Sequence, residues 1–109
     1  MYDFTPHIDE LMRSGLKLET YYAQHLCTPA RGALLTGKYP VNIGLQHDVI
    51  HVDAPWGLPL DHKLLPEYLQ ENGYATHMIG KWHLGHFNEQ FLPQHRGFDS
   101  FFGYLADTQ

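Results

Sequence analysis

Two short stretches of this sequence carry residues able to do chemistry. In the first, Cys27 stands four positions before Arg31, with Pro29 between them. Thr28-Pro29 reads as a helix start: Thr can cap, and Pro is tolerated at the first helical position. A thiol just before that start meets free backbone N–H groups and the positive end of the helix dipole, which favour an anion and lower a thiol's pKa. A guanidinium one turn further on can bind two oxygens of a tetrahedral anion, or anchor the cysteine's own side chain. In the second stretch, Lys81 and His83 flank Trp82. Residues two apart in an extended segment share a face. The ammonium can then neutralise a developing oxyanion while the imidazole transfers a proton, with Trp82 packed inward. Taken alone, each pair has a plainer account: an inert thiol with a surface Arg, and a solvated Lys with a packing His. Nothing in their spacing requires His25 or His86 at this site, and the remaining histidines read as structural or surface residues.

The elements that must position these residues follow from periodicity and breakers. Thr5-Pro6 opens a helix with Ile8, Leu11 and Met12 on one face and Gly15 at its end. Leu16 to Tyr22 alternates like a short strand. A second helix covers Ala30 to Leu35 and closes at Gly37. Lys38 to about Leu60, with Pro40, Gly44, Pro55, Gly57 and Pro59, reads as a loop. Pro66 opens a third helix, ended by Asn72-Gly73. Tyr74 to Ile79 reads as a buried strand ending at Gly80, with Lys81 to Gly85 as the loop beyond. Phe98 to Tyr104 is aromatic and strand-like. Helix and strand in alternation predict an α/β layer structure with a mostly parallel sheet. In such sheets a ligand site lies at the carboxyl ends of the strands, where both chemical stretches fall.

Length and composition set outer bounds. The 109 residues allow one domain at most, and 43% hydrophobic with 17% charged residues excludes a disordered tail. No apolar stretch approaches the roughly 20 residues of a membrane span, and the N-terminus lacks the regions of a signal peptide. A net charge of −5 with no basic run argues against a nucleic-acid partner. Protonating all 9 histidines would move −5 to +4 (−5 + 9), which suits an acidic compartment and an anionic substrate. The lone Cys27 cannot form an internal disulfide.

Taken together, these segments resemble a family. Cys27-Thr28-Pro29-Ala30-Arg31 is similar to the C-x-P-x-R signature of the type I, formylglycine-dependent sulfatases, and Gly32 to Pro40 continues it. Gly73 to His83 resembles their second signature. Thr5-Pro6-His7-Ile8-Asp9 and Arg96-Gly97-Phe98-Asp99 resemble two further family segments, with His7 where Asn is usual. Tyr21-Tyr22, Gly44 to His47, Leu58 to Asp61 and Phe102 to Leu105 resemble the arylsulfatase B branch. The resemblance covers the chain in order. It implies an alkaline-phosphatase-like sulfatase fold, a mostly parallel sheet flanked by helices, incomplete here.

The resemblance also implies a mechanism. A formylglycine-generating enzyme reads Cys27, Pro29 and Arg31 and oxidises Cys27 to Cα-formylglycine. One hydroxyl of the hydrated aldehyde attacks the sulfur of a sulfate ester, and the other helps expel sulfate. A calcium ion holds a diol oxygen and a sulfate oxygen. Cys27, as formylglycine, is then nucleophile and metal ligand. Arg31 stabilises the diol, Lys81 contacts the sulfate, and His83 stabilises or relays a proton. The implied substrate is a sulfated carbohydrate or aryl sulfate, such as a sulfated sugar of a glycosaminoglycan, and the implied location is lysosomal or extracellular. The paired aspartates of the family's calcium site and its downstream ligands have no counterpart here. Residues 1–109 are therefore expected to be part of a sulfatase N-terminal catalytic domain, poorly folded and inactive alone. The competing expectations are a non-catalytic protein that keeps the scaffold for binding or regulation, and a phosphatase or phosphonate hydrolase of the same superfamily. The cysteine in place of Ser or Thr disfavours the plain phosphatase.

Overall fold

A computed structural model describes residues 4–107. Three α-helices, α1 (Pro6–Ser14), α2 (Cys27–Thr36) and α3 (Leu65–Glu71), precede or separate two strands, β1 (His77–Lys81) and β2 (Ser100–Tyr104). Short 3-10 turns lie at Pro40–Asn42, Glu89–Phe91 and Pro93–His95. The strands pair in parallel, with Ile79 opposite Phe102 and Lys81 opposite Tyr104. The α/β class and parallel pairing match the sequence expectation.

Both strands start later than their composition suggests, at His77 rather than Tyr74 and at Ser100 rather than Phe98. The cause is a polar clasp just before them. The Asp99 carboxylate accepts from the Thr76 backbone N–H at 2.7 Å, and the Thr76 hydroxyl donates to the Gly97 carbonyl at 2.7 Å. Pairing begins only beyond this clasp. At the other end β1 runs one residue past Gly80, because Gly80 faces Gly103 across the sheet. A Cβ built on Gly103 would overlap the Gly80 carbonyl oxygen, so only glycine allows the strands to close there.

The core lies under this sheet edge and is built from Ile43, Leu45, Leu58, Leu64, Met78, Trp82 and Leu84, with Leu35, Phe98, Phe101 and Leu105 packed against it. Three of the seven come from the segment that reads as a loop. Its breakers made it irregular without making it superficial. Arg96 holds it down: its guanidinium is buried and donates to the Leu58 and His62 carbonyls at 3.1 and 2.8 Å. Gly32 lets α2 approach the same segment, since a Cβ there would meet Leu45 Cδ1 at 2.6 Å.

Two further expectations fail, the strand at Leu16 to Tyr22 and the cap at Thr5. Leu16 to Tyr22 forms no strand, and its large side chains are exposed. Among the described residues no strand pairs with it, and an unpaired strand has no hydrogen-bonded neighbour to hold it. The apolar face of α1 is likewise uncovered: Ile8 and Leu11 are 66% and 71% exposed, and the helix buries nothing. Thr5 does not cap α1; its hydroxyl donates to the Asp9 carboxylate at 3.2 Å.

Candidate active site

The first turn of α2 is built around Cys27. The helix begins at Cys27 itself, not after it, and Leu26 takes the cap position without a side-chain bond. Pro29 fits inside this first turn because its missing N–H has no helical partner to lose. At the far end Gly37 adopts φ 67° and donates its N–H to the Ala33 carbonyl, closing the helix. Thr28 serves the tertiary structure instead of the cap. Its buried hydroxyl donates to the His83 carbonyl at 2.9 Å and accepts the Ile50 N–H at 3.0 Å.

Lys81 closes β1, and the chain beyond it follows β2 a little further: the Trp82 and His83 N–H groups donate to the Tyr104 and Leu105 carbonyls at 2.9 and 3.0 Å. Trp82 is fully buried, its indole N–H donating to the Gly85 and Phe91 carbonyls. His83 is not extended as expected; it turns into the left-handed region at φ 57°. For a non-glycine residue that conformation is uncommon, and it is held here by packing on every side. Lys81 and His83 therefore reach one site through a turn, not through strand alternation.

The structure brings the four expected residues together. Lys81 Nζ donates to Cys27 Sγ at 3.2 Å. Arg31 Nε donates to the Trp82 carbonyl at 2.6 Å, which ties α2 to the segment after β1. His83 sits between Ile50 and the cysteine: its Nε2 is 2.8 Å from the Ile50 carbonyl, while its buried Nδ1 has no partner. One ligand atom each from Cys27, His83 and Asp107 lies within 4.8 Å of the other two. Neither His25 nor His86 belongs to this group. Asp107, which also forms an ion pair with Lys81, escaped the sequence reading. Its available signal was position, an acid just beyond the carboxyl end of a parallel strand. A cleft of about 590 Å³ opens beside the group, lined by residues 49–53, His83 and Asp107.

Electrostatics follows burial and pairing. Burial pushes the His83 imidazole below its ordinary pKa, so the neutral ring is favoured. Burial also pulls at Lys81, but its hydrogen bonds to Asp107 and Cys27 win and hold the ammonium above its ordinary value. That same bond from Lys81 lowers the Asp107 carboxyl. Burial lowers the Arg31 guanidinium, opposed by Tyr104 and Cys27 nearby.

A helix N-terminus presenting a thiol, a lysine on that thiol and a cleft alongside describe a site for an oxyanion. Comparison decides the family. A model of the sulfatase family matches residues 2–109. The chain belongs to the sulfatase family. It is 52% identical over 104 residues to arylsulfatase J of Mus musculus, covering 95% of this chain and 17% of that protein. It is 40% identical over 107 residues to N-acetylgalactosamine-6-sulfatase of Homo sapiens, covering 91% of this chain and 20% of that one. Among solved structures, the PsFucS1 sulfatase from Pseudoalteromonas sp. superposes with a TM-score of 0.82 at 39% identity, over 95% of this chain and 21% of that chain. The chain thus spans about a fifth of the length of the sulfatases it matches.

Calcium, which the family resemblance implies, fits the described residues poorly. A hard cation takes six to eight oxygen ligands. The cluster offers one carboxylate, already paired with Lys81, together with an imidazole and a thiol. Converting Cys27 to formylglycine adds oxygen at one position only.

Proposed function

We propose that these residues form the nucleophile-bearing part of a larger sulfatase catalytic domain, and that the whole protein hydrolyses sulfate esters through a formylglycine made from Cys27. The observation that carries this reading is the Lys81 ammonium 3.2 Å from Cys27 Sγ, at the first turn of α2. Formylglycine at position 27 would supply a hydrated aldehyde as the nucleophile toward sulfur. Lys81 binds a sulfate oxygen and holds the sulfuryl group in place while the bond from sulfur to the leaving oxygen breaks. The neutral His83 donates its Nε2 proton to the Ile50 carbonyl, which leaves a lone pair on Nδ1 to take a proton. Arg31, bonded to the Trp82 carbonyl, keeps the Lys81–His83 segment against α2 and lends positive charge near residue 27. Pro29 and Arg31 also complete the motif that a formylglycine-generating enzyme reads. No step here depends on calcium.

The substrate class we assign is a sulfated carbohydrate, with aryl sulfates as simple surrogates. A relative named as an N-acetylgalactosamine-6-sulfatase supports an amino sugar as the leaving group. Lysosomal or extracellular residence is the location we assign with this reading, and it accords with the match to the sulfatase family. Mass spectrometry of the Cys27 peptide from native material tests the mechanism directly. A mass about 18 Da below that of the thiol peptide is expected, because oxygen replaces sulfur and two hydrogens are lost. Unmodified thiol alone would sink the formylglycine reading. Turnover of paired sulfate and phosphate esters of one alcohol by the whole protein separates a sulfatase from a phosphatase.

A further inference from the structure

The residues that suit calcium poorly suit another kind of cation well. We propose that, while Cys27 remains a thiol, Cys27, His83 and Asp107 form a site for a thiophilic divalent cation of the zinc type. Sulfur, imidazole nitrogen and a carboxylate oxygen are the donors such ions prefer. One atom from each already lies within 4.8 Å of the others. Tetrahedral zinc holds its ligand atoms roughly 3–4 Å apart, so a contraction of about 1 Å closes the set.

The second, independent observation is the histidine. His83 is 1% exposed, and its Nδ1 is the buried side-chain polar atom without a partner among the described residues. Its Nε2 faces the Ile50 carbonyl at 2.8 Å. That bond fixes the tautomer with the lone pair on Nδ1, the outer hydrogen bond that metal-binding histidines ordinarily make. The cleft lined by His83 and Asp107 admits the ion and leaves room for water as fourth ligand.

Lys81 is the built-in competitor. Its ammonium donates to Cys27 Sγ and pairs with Asp107, so it bridges the two groups that an ion would join. On binding, the ion displaces this ammonium, the thiol proton leaves to solvent, and a sulfur–metal bond forms. The site exists only before Cys27 is oxidised. It therefore stands or falls separately from the esterase reading, which concerns the formylglycine.

The test titrates the whole protein, with Cys27 verified as thiol by mass, with Co2+ and then Zn2+. One equivalent of Co2+ is expected to raise a near-ultraviolet thiolate-to-cobalt charge-transfer band. Zn2+ should bleach that band, and Ca2+ should not. Asp107→Asn, at an exposed position, should weaken binding tenfold or more, and Lys81→Met should strengthen it. Zn2+ should also slow alkylation of Cys27 by iodoacetamide. No charge-transfer band, a band that persists in Cys27→Ser, or alkylation indifferent to Zn2+ would each overturn the proposal.

Discussion

At Cys27 one sulfur meets a helix N-terminus, a lysine ammonium and, one turn on, a guanidinium. Their contributions differ in kind. Lys81 touches the thiol directly, whereas Arg31 spends its Nε on the Trp82 carbonyl. Lys81→Ala in the whole protein should therefore act on chemistry, lowering kcat on an aryl sulfate by about 100-fold or more, the usual loss when one charge-stabilising donor is removed. Rates unchanged within threefold would remove Lys81 from the reaction. His83 makes a pH prediction. Its folded-state pKa is depressed by burial, so the unfolded chain binds the proton more readily below about pH 6.5. Its contribution to stability is complete above that pH and is lost as the pH falls through and below it. Denaturation midpoints of wild type and His83→Gln should differ less at pH 5 than at pH 8; a constant difference would contradict a buried neutral imidazole.

Among the elements, β1 and β2 matter most because their carboxyl ends carry Lys81 and the turn into His83. The Gly80–Gly103 step is their weak point, since a side chain at Gly103 would strike a backbone oxygen that cannot move aside. Gly103→Ala should part the strands and release Lys81 from Cys27. Amide hydrogen exchange would register this as faster exchange at Trp82 and His83, whose N–H groups bond to Tyr104 and Leu105. Unchanged protection there would mean that the sheet tolerates a side chain. The clasp before the strands adds a second acid-sensitive device. The Thr76 backbone N–H holds the Asp99 carboxyl below its ordinary value, with help from the Thr76 hydroxyl and Gln70. A depressed carboxyl stabilises the fold above about pH 4, and that support fades as the pH falls further. Asp99→Asn should flatten the acid limb of the stability curve between pH 5 and pH 2, on the order of the window set by the carboxyl pKa; an unaltered limb would count against the clasp.

Across the whole molecule, burial is uneven. One core joins the irregular segment 43–58 to Met78, Trp82 and Leu84, while α1 and residues 16–22 lie on the outside. Arg96 is the rivet of that core, since its guanidinium fills the hydrogen-bonding needs of two carbonyls from the irregular segment and its neighbour. Arg96→Met keeps the apolar stem but leaves both carbonyls unpaired, and should cost about 3 kcal/mol in a urea melt. A loss under about 0.5 kcal/mol would assign the anchoring to the hydrophobic contacts instead.

Much of this was legible from residue order alone. Pro6, Pro29 and Pro66 mark helix starts because proline lacks the N–H those positions do not use, and Gly37 and Gly73 mark ends because they accept positive φ. The types and order of Cys27, Arg31, Lys81 and His83 allowed chemistry at a helix start and a strand end, but only the resemblance of their motifs to a family singled them out. Other features were settled only in three dimensions. Leu16 to Tyr22 has strand alternation, yet alternation records a preference and pairing needs a neighbour. Residues 43–58 read as loop, since turn residues report backbone irregularity and not depth. Asp107 and the carbonyl of Ile50 enter the site across 80 and 33 positions of sequence, from Cys27 and from His83 respectively (107 − 27 and 83 − 50), and residue order does not show that such distant groups meet. The sequence by itself determined which atoms could react, because reactivity belongs to the side chain. The tertiary structure decided which of them meet, because contact is a property of the packed chain.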